Sequence, residues 1–178
     1  IRQNIFLATK TSAQSVHELL SNLDESLTAM QTDTVDLYQF ESDTTVPLLG
    51  GPDGVYAALV DLKAEGKIKH IGFATQDFDT AKAAVQCGLY ETLQFPFSMI
   101  SPDDTAELVK LCDANDTGFI AMQPLCGGIL SNIPLAFGFL HQYENVVPIW
   151  GALSSEELEQ ILYFNDHPPV IEIQNLFQ

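Results

Sequence analysis

Lys10 is the first residue of this chain whose type and position point to chemistry. It is the only lysine among the first 62 residues, and it lies near the end of an apolar run, Asn4–Thr11, that predicts a buried strand. Side chains alternate between the two faces of a strand, so Phe6 and Ala8 share the face of Lys10. Lys10 is therefore either a catalytic or binding cation at the end of a strand, or a lysine that reaches into solvent.

The charge of the chain narrows the classes of partner. Its 24 acidic and 7 basic residues give a formal charge of -17, which repels nucleic acid and anionic lipid. No Lys or Arg follows Lys110 in the sequence, so a phosphate group bound by the residues beyond it must be held by backbone amides. We expect a small-molecule substrate, with no nucleic-acid partner and no membrane partner.

The cysteines and the chain ends indicate the compartment and the extent of the domain. Cys87, Cys112 and Cys126 have neither CxxC nor Cys/His spacing, so the sequence predicts reduced thiols and no metal site. No signal peptide opens the chain and no apolar run is long enough to span a membrane, which favours a cytoplasmic protein. The chain opens without an initiator Met and stops without a polar tail, so residues 1–178 are expected to be one domain, incomplete at both ends.

Six strand patterns alternate with helical patterns along the chain. The strands are predicted to begin near residues 5, 34, 68, 91, 118 and 146. This alternation predicts a parallel α/β architecture, either a doubly wound sheet or a (β/α)8 barrel. No GxGxxG motif follows a strand to favour the doubly wound sheet. Because a complete barrel needs at least about 200 residues, a barrel reading means that roughly two units are missing.

Six short segments, in this order, carry a resemblance to a known family. They are Phe6–Lys10, Val35–Gln39, Leu62–Gly72, Leu93–Phe97, Ile120–Gly128 and Trp150–Leu158. Together they resemble the aldo-keto reductase family, particularly the branch whose members often carry a C-terminal ferredoxin-like domain. The resemblance implies an α/β fold of the (β/α)8 TIM-barrel type, of which this chain holds strands three to eight and lacks the first two units.

The resemblance also implies hydride transfer from a nicotinamide to a carbonyl, with an Asp, Tyr, Lys and His tetrad at the C-terminal rim of the barrel. In the family the Tyr donates a proton, the Lys and Asp lower its pKa, and the His orients the carbonyl. Lys10 falls on the Lys position and Glu41 on the His position, whereas the Asp and Tyr belong to strands outside this sequence. Tyr38 lies an odd number of positions from Glu41, so it faces the helices if Glu41 faces the barrel axis.

Glu41 departs from the commonest family pattern and leaves the substrate class open. Steroid double-bond reductases of the family also carry Glu there, and a protonated acid in that position is thought to polarise an enone. A carboxylate beside Lys10 is instead stabilised in its ionised form, the opposite of what that role needs. The burial of Glu41 decides between the two, so the substrate is expected to be a small carbonyl or enone compound.

The family's cofactor positions fall mainly on residues of the later strands. Gln94 falls where the family binds the nicotinamide carboxamide, Thr75 is what remains of a Ser-Asn pair, and Met122 replaces a Tyr that often stacks on the nicotinamide. The other expected cofactor-binding residues are Pro124, Leu125, Gly151 and Ser154. The family commonly holds the 2′-phosphate of NADP with basic residues around the last helix. Leu153–Ile161 contains three glutamates and no base, so we expect NAD(P)H binding with NADH preferred over NADPH.

The leading hypothesis is an NAD(P)-dependent oxidoreductase of the aldo-keto reductase type. Two alternatives stay open: a non-catalytic barrel homologue that binds a ligand or a partner, and the barrel part of an iron–sulfur redox protein whose cluster domain lies beyond Gln178. A barrel that lacks two units exposes the edges of parallel strands, so an oligomer or further chain segments are expected to cover them.

Overall fold

The computed structural model describes residues 2–169, in which strands and helices alternate. The strands are β1 Ala8–Thr11, β2 Val35–Glu41, β3 Ile68–Ala74, β4 Thr92–Pro96, β5 Gly118–Met122 and β6 Val146–Pro148. The helices are α1 Val16–Met30, α2 Val55–Ala64, α3 Phe78–Gln86, α4 Asp103–Ala114, α5 Ile133–Leu140 and α6 Ser155–Asp166. Short 3-10 turns occupy Arg2–Asn4 and Cys126–Gly128. Strands β2 to β6 begin at or next to their predicted starts.

The order of the strands decides between the two predicted architectures. All six strands form one sheet in chain order, and every neighbouring pair is parallel. A doubly wound sheet reverses its strand order at a switch point, whereas a barrel keeps chain order throughout. The described residues therefore form six successive units of the barrel type, as expected, and the doubly wound alternative is excluded.

The two faces of the sheet differ in character because side chains alternate along each strand. One face packs against the helices in a continuous apolar core, to which the strands contribute Tyr38, Phe73, Leu93 and Phe119 and the helices Leu19, Leu59 and Leu108. The other, inner face carries Lys10, Gln39, Thr92 and Gln94. Polar side chains thus lie on the face where the axis of a barrel would run.

Gly72 of β3 allows the inner side chains of neighbouring strands to approach. It pairs with Gln39 of β2 and with Thr92 of β4. A Cβ at Gly72 would collide with Thr92 Oγ1 and Gln39 Cγ. Glycine is therefore required here for space, since its φ angle is not among the positive ones.

The first strand is shorter and more exposed than the sequence predicts. β1 begins at Ala8, and Ile5 and Phe6 before it are exposed. Arg2–Asn4 forms a 3-10 turn, and β1 lies at an edge of the described sheet, so only part of the strand is covered. The expectation of a buried strand over Asn4–Thr11 is therefore wrong, since the strand begins only at Ala8 and Thr11 is its one buried residue.

Pro148 lies in β6, the other edge strand of the described sheet. The amide of Ile149 donates to the carbonyl of Ala121 in β5 across 2.9 Å. Because successive amides of a strand point in opposite directions, the proline nitrogen faces away from β5. A proline at an edge removes no hydrogen bond from the ladder, so Pro148 is compatible with its place in β6.

An ion-pair network joins the amino-terminal ends of the strands, opposite the end where Lys10 and Glu41 lie. Asp36 has a side chain that is only 8% exposed. Its carboxylate accepts hydrogen bonds from the Leu7 amide at 2.8 Å and from Lys69 Nζ at 2.6 Å, and it lies 3.0 Å from Arg2 Nη1. The Leu7 amide first, and then the Lys69 and Arg2 cations, hold the pKa of Asp36 well below its usual range.

The depressed pKa of Asp36 makes the stability of the fold depend on pH. We expect Asp36→Asn to lower the melting temperature at pH 7, because the ionised carboxylate is favoured in the folded state. The stabilisation is fully present above the ordinary pKa of Asp, about 3.9, and is lost as the pH falls below it, so the difference between wild type and variant narrows there. Thermal unfolding from pH 7 to pH 2.5 measures this, with the exposed Asp33→Asn as control. A difference that is constant with pH would contradict the prediction.

Candidate active site

Two rows of inner-face side chains cross the sheet from the carboxyl halves of β2 and β3 to the first half of β4. Lys10 pairs with Gln39, Gln39 with Gly72, and Gly72 with Thr92 in the lower row. In the upper row Glu41 pairs with Ala74, and Ala74 with Gln94. Glu41 and Gln94 thus lie at the same level and two strands apart, which places their backbones about 10 Å from each other.

Lys10 and Glu41 form an ion pair at this end of the sheet. Lys10 Nζ lies 2.6 Å from Glu41 Oε1, and the two side chains are 36% and 41% exposed. Exposed ion pairs contribute only roughly 0–1 kcal/mol to the free energy of unfolding. The pair therefore does little to stabilise the fold, and its main effect is to position charged groups at this end of the sheet.

Tyr38 faces the helices, as the alternation along β2 predicts. Its ring is fully buried in the core, and its hydroxyl donates to the Leu19 carbonyl of α1 at 3.4 Å. Burial raises the pKa of Tyr38. The residue therefore cannot serve as a proton donor on the inner face.

Two buried polar atoms on the inner face lack a hydrogen-bond partner within the described residues. They are Gln39 Nε2 and Thr92 Oγ1. Both side chains lie over Gly72, in the row directly below Gln94. Buried polar groups normally form hydrogen bonds with protein or with ordered water. Two groups whose hydrogen bonds are not made by the described residues therefore lie together at this level of the inner face.

A cavity of about 590 Å³ opens over the last three strands and extends to α6. Five of the seven residues predicted to bind the cofactor line it, namely Gln94, Met122, Pro124, Leu125 and Gly151. Lys10 and Glu41 border a separate hollow of about 420 Å³, together with Asn22 and Ser26 of α1. The structure thus places seven of the predicted residues in two separate hollows, one over β4 to β6 and one beside α1, rather than in one cavity.

Gln94 presents a largely unused amide to the cavity. The residue is only 6% exposed, and its Nε2 lies 3.6 Å from the sulfur of Met122. A thioether is a weak acceptor, so this contact does not use up the hydrogen-bonding capacity of the amide. Gln94 can therefore bind an amide or another polar group of a ligand.

Thr75 does not line the cavity, and its hydroxyl forms hydrogen bonds with residues of two loops. It donates to Asp43 Oδ1 at 2.8 Å and accepts a bond from the Asp77 amide at 3.1 Å. The same Asp43 oxygen accepts a bond from the Gln76 amide at 2.7 Å, and these bonds, the Gln76 amide first, lower the pKa of Asp43. Asp43, which the sequence reading missed, therefore connects the loop after β2 to the loop after β3.

Ser154 is the N-cap of α6 and likewise lies outside the cavity lining. Its hydroxyl accepts a bond from the Glu157 amide at 3.1 Å, and Glu157 Oε2 accepts a bond from the Leu153 amide at 2.7 Å. The sequence Ser154-Ser155-Glu156-Glu157 predicts a capping box, and the structure forms a variant of it in which Glu157 accepts from the amide before the N-cap residue rather than from the Ser154 amide. It fixes the Glu157 side chain, which lines the cavity, at the start of the helix.

Trp150 forms an aromatic wall of the cavity. Its ring stacks on Phe137 of α5 with centroids 4.0 Å apart and planes 10° apart. The loop Cys126–Gly128 forms a further part of the wall, and Gly127 and Gly128 adopt positive φ angles of 66° and 94°. Glycine is the residue that adopts such angles readily, and it leaves the backbone of this loop open to a ligand.

Neither a cluster of potential metal ligands nor a helix able to span a membrane is found within residues 2–169. No group of three or more His, Cys, Asp or Glu side chains is placed to hold a metal ion within residues 2–169. Cys87, Cys112 and Cys126 are free thiols, and burial raises the pKa of Cys112 to about 12. None of the helices in this part of the chain has both the length and the apolar character needed to cross a membrane.

Parallel strands in chain order, with polar side chains and a cavity at their carboxyl ends, define an α/β barrel-type protein of the kind that binds small molecules at that end. Comparison with known proteins identifies the group more closely. The model of the Aldo/keto reductase family matches residues 1–135. The chain therefore belongs to the aldo-keto reductase family.

Individual relatives agree with this assignment. The chain is similar to the NADH-specific methylglyoxal reductase of Escherichia coli (strain K12), with 29% identity over 120 residues that cover 67% of this chain and 36% of the relative. The chain thus matches only about a third of that protein's length.

Solved structures agree in fold. The aldo-keto reductase AKR11C1 from Bacillus halodurans in its holo form has a TM-score of 0.78 at 20% identity, covering 91% of this chain and 66% of that one. Its apo form gives a TM-score of 0.80 at 21% identity, covering 96% and 69%. The six units described above therefore correspond to part of the (β/α)8 barrel of this family.

Removing the Asp43 carboxylate is expected to destabilise the two loops that it joins. Asp43→Ala leaves the buried Thr75 hydroxyl without its acceptor, which costs about 1–3 kcal/mol in the free energy of unfolding. Asp43→Asn keeps an oxygen acceptor and should cost less. Urea unfolding measures the loss, and hydrogen exchange at the Gln76 amide locates it. Asp53→Ala is the control, since the hydrogen bond that Asp53 makes within residues 2–169 is to the nearby Val55 amide. Equal losses in all three variants would contradict the role given to Asp43.

Proposed function

We propose that this chain forms part of an NADH-preferring oxidoreductase that reduces a small carbonyl compound. The observation that carries the proposal is the shared inner face, where Glu41, paired with Lys10, lies level with Gln94 at the edge of the cavity. A charged pair that lies two strands from a ligand cavity, at the same level of the sheet, is suited to chemistry on a ligand that reaches from one to the other. Membership of the aldo-keto reductase family supports nicotinamide-dependent oxidoreduction.

The residues of the cavity fit a nicotinamide dinucleotide. The Gln94 amide, engaged only with a thioether, suits the carboxamide of the nicotinamide, and Met122 offers an apolar surface to its ring. The loop at Gly127 and Gly128 exposes backbone that suits a pyrophosphate, since no Lys or Arg lines the cavity in the described structure. When bound, the nicotinamide supplies the hydride.

The Lys10–Glu41 pair supports reduction of a carbonyl over reduction of a carbon–carbon double bond. A protonated acid at Glu41 would require a dry site without a cation, whereas Glu41 is half-exposed and contacts Lys10 at 2.6 Å. The ammonium group can stabilise negative charge that develops on a carbonyl oxygen or on a proton donor beside it. Glu41 keeps that ammonium on the inner face.

The start of α6 supports NADH over NADPH. Glu157 lines the cavity there, and Glu156 lies beside it in the first turn of the helix. Carboxylates near a bound 2′-phosphate repel it, and no base in the cavity lining of the described chain offsets that repulsion. The Escherichia coli relative is named an NADH-specific methylglyoxal reductase, which agrees with this preference and with a small carbonyl substrate.

The single tryptophan of the chain, Trp150, allows cofactor binding to be measured directly. We expect NADH to quench Trp150 emission and to gain sensitised nicotinamide emission, because the indole lines the cavity. NADPH is expected to bind at least about tenfold more weakly, which corresponds to about 1.4 kcal/mol. Titration of the intact protein with each cofactor measures both constants, and Trp150→Phe serves as the signal control. Equal affinities would refute the preference, and the absence of saturable binding would refute the proposed function.

Neutralising Lys10 is expected to impair turnover without loss of cofactor binding. Lys10→Met should lower kcat/KM for small aldehydes and dicarbonyls about 100-fold, since it removes one electrostatic group from the reacting end of the site. Lys63→Met is the matched control, because Lys63 forms a comparably exposed ion pair with Glu91 at 2.7 Å away from the cavity. Steady-state kinetics of both variants measure the effect on turnover, and the NADH affinity of each variant measures the effect on cofactor binding. Equal turnover in the two variants would contradict a role for Lys10 in the reaction.

A further inference from the structure

Met122 differs from the other methionines of the chain in its place in the cavity wall. The chain has three methionines, Met30, Met99 and Met122. Met30 packs against the apolar core and Met99 lies in the loop after β4, and neither lines the cavity in the described structure. Met122 is half-buried in the wall, so a small molecule that enters the cavity can reach its side chain.

The register of β5 places Met122 beside Gln94. Met122 pairs with Pro96 of β4, and its carbonyl accepts a hydrogen bond from the Phe97 amide at 3.1 Å. Ile120 pairs with Gln94, so Met122, two residues further along β5, shares the inner face with Gln94. The contact of 3.6 Å between the Met122 sulfur and Gln94 Nε2 is therefore set by the pairing of two strands.

This contact places an oxidisable atom against a polar group that is free to bind a ligand. A thioether sulfur is a weak acceptor, so it leaves the Gln94 amide largely available. Oxidation to the sulfoxide makes the side chain polar and adds an oxygen, which accepts hydrogen bonds far better than the sulfur does. The Met122 side chain is flexible, and a small rotation brings this oxygen to about 2.9 Å from Gln94 Nε2, the ordinary length of an N–H···O hydrogen bond.

We infer that Met122 is a site of reversible oxidation, and that its sulfoxide accepts a hydrogen bond from the Gln94 amide and so withdraws this amide from ligands. The oxidant is hydrogen peroxide, which is small enough to enter the cavity. Its O–O bond breaks as an S–O bond forms, the sulfur loses two electrons, and the peroxide is reduced to water. A methionine sulfoxide reductase reverses the step, with a dithiol that is oxidised to a disulfide and with release of the oxygen as water.

The consequence for NADH rests on the proposed function, which takes the nicotinamide carboxamide as the partner of Gln94. The modification itself, and the new hydrogen bond to Gln94, do not depend on the cofactor. The two parts are therefore tested separately.

The first experiment uses the intact protein without a ligand. Hydrogen peroxide is added and removed, dithiothreitol restores the thiols, and peptide mass spectrometry measures the sulfoxide at each methionine. We expect Met122 to be oxidised and the side-chain amide protons of Gln94, followed by NMR, to exchange with water at least about fivefold more slowly, the effect of one net hydrogen bond. An unmodified Met122, or unchanged exchange at Gln94 in the oxidised protein, would overturn the inference.

Met122→Leu is the matched control, because it keeps a similar apolar volume and leaves Met30 and Met99 to be oxidised. Peroxide treatment of this variant should leave the exchange at Gln94 unchanged.

The second experiment measures NADH affinity by Trp150 emission before and after oxidation. We expect oxidation to weaken binding at least about fivefold in wild type and less than about twofold in Met122→Leu, each compared with its own unoxidised form. Treatment of oxidised wild type with methionine sulfoxide reductase should restore the affinity.

The outcomes separate this inference from the proposed function. If exchange at Gln94 slows on oxidation but NADH does not bind to wild type, the oxidation site stands and the proposed function fails. If NADH binds and oxidation weakens its binding equally in wild type and Met122→Leu, the proposed function stands and the role of Met122 is refuted.

Discussion

The register between neighbouring parallel strands is the constraint on which the placement of every functional side chain depends. Lys10, Gln39, Gly72 and Thr92 share one level of the sheet because each is the partner of the next. A shift of one residue in any strand would turn its polar side chains toward the helices. Because Gly72 has no side chain, Gln39 and Thr92 can both lie over it, in the space that a Cβ of residue 72 would need.

The two ends of the sheet divide stability and chemistry between them. At the amino-terminal end, Asp36 is nearly buried and contacts Arg2, Lys69 and the Leu7 amide, an arrangement that fixes β1 to its neighbours. At the carboxyl end, the ion pair of Lys10 with Glu41 is half-exposed and contributes little to folding. An ion pair therefore stabilises the fold at one end of the sheet and contributes little to stability at the other, because the burial of the carboxylate and the number of its partners differ.

Much of the fold follows from local sequence, whereas the site does so only in part. Alternating strand and helix patterns, the capping box at Ser154 and the orientation of Tyr38 depend on residues close in sequence, and the structure agrees with them. The strand order that excludes a doubly wound sheet depends on pairing between distant segments. The engagement of Thr75 by Asp43 depends on a contact between residues 32 apart, which no local pattern encodes. The expectation for β1 failed because burial depends on what lies next to a strand.

Pro148 has a consequence for how the protein behaves among its own copies. A parallel sheet with an accessible edge can serve as a template on which a strand of another molecule adds. At Pro148 the pyrrolidine ring occupies the outward position where a free N–H would otherwise be presented. A strand that paired along the outer edge of β6, whether from another copy or from barrel units outside the described residues, would receive no hydrogen bond from the last residue of β6. The segment that covers this edge must therefore find its other partners at Val146 and Val147 or beyond the strand.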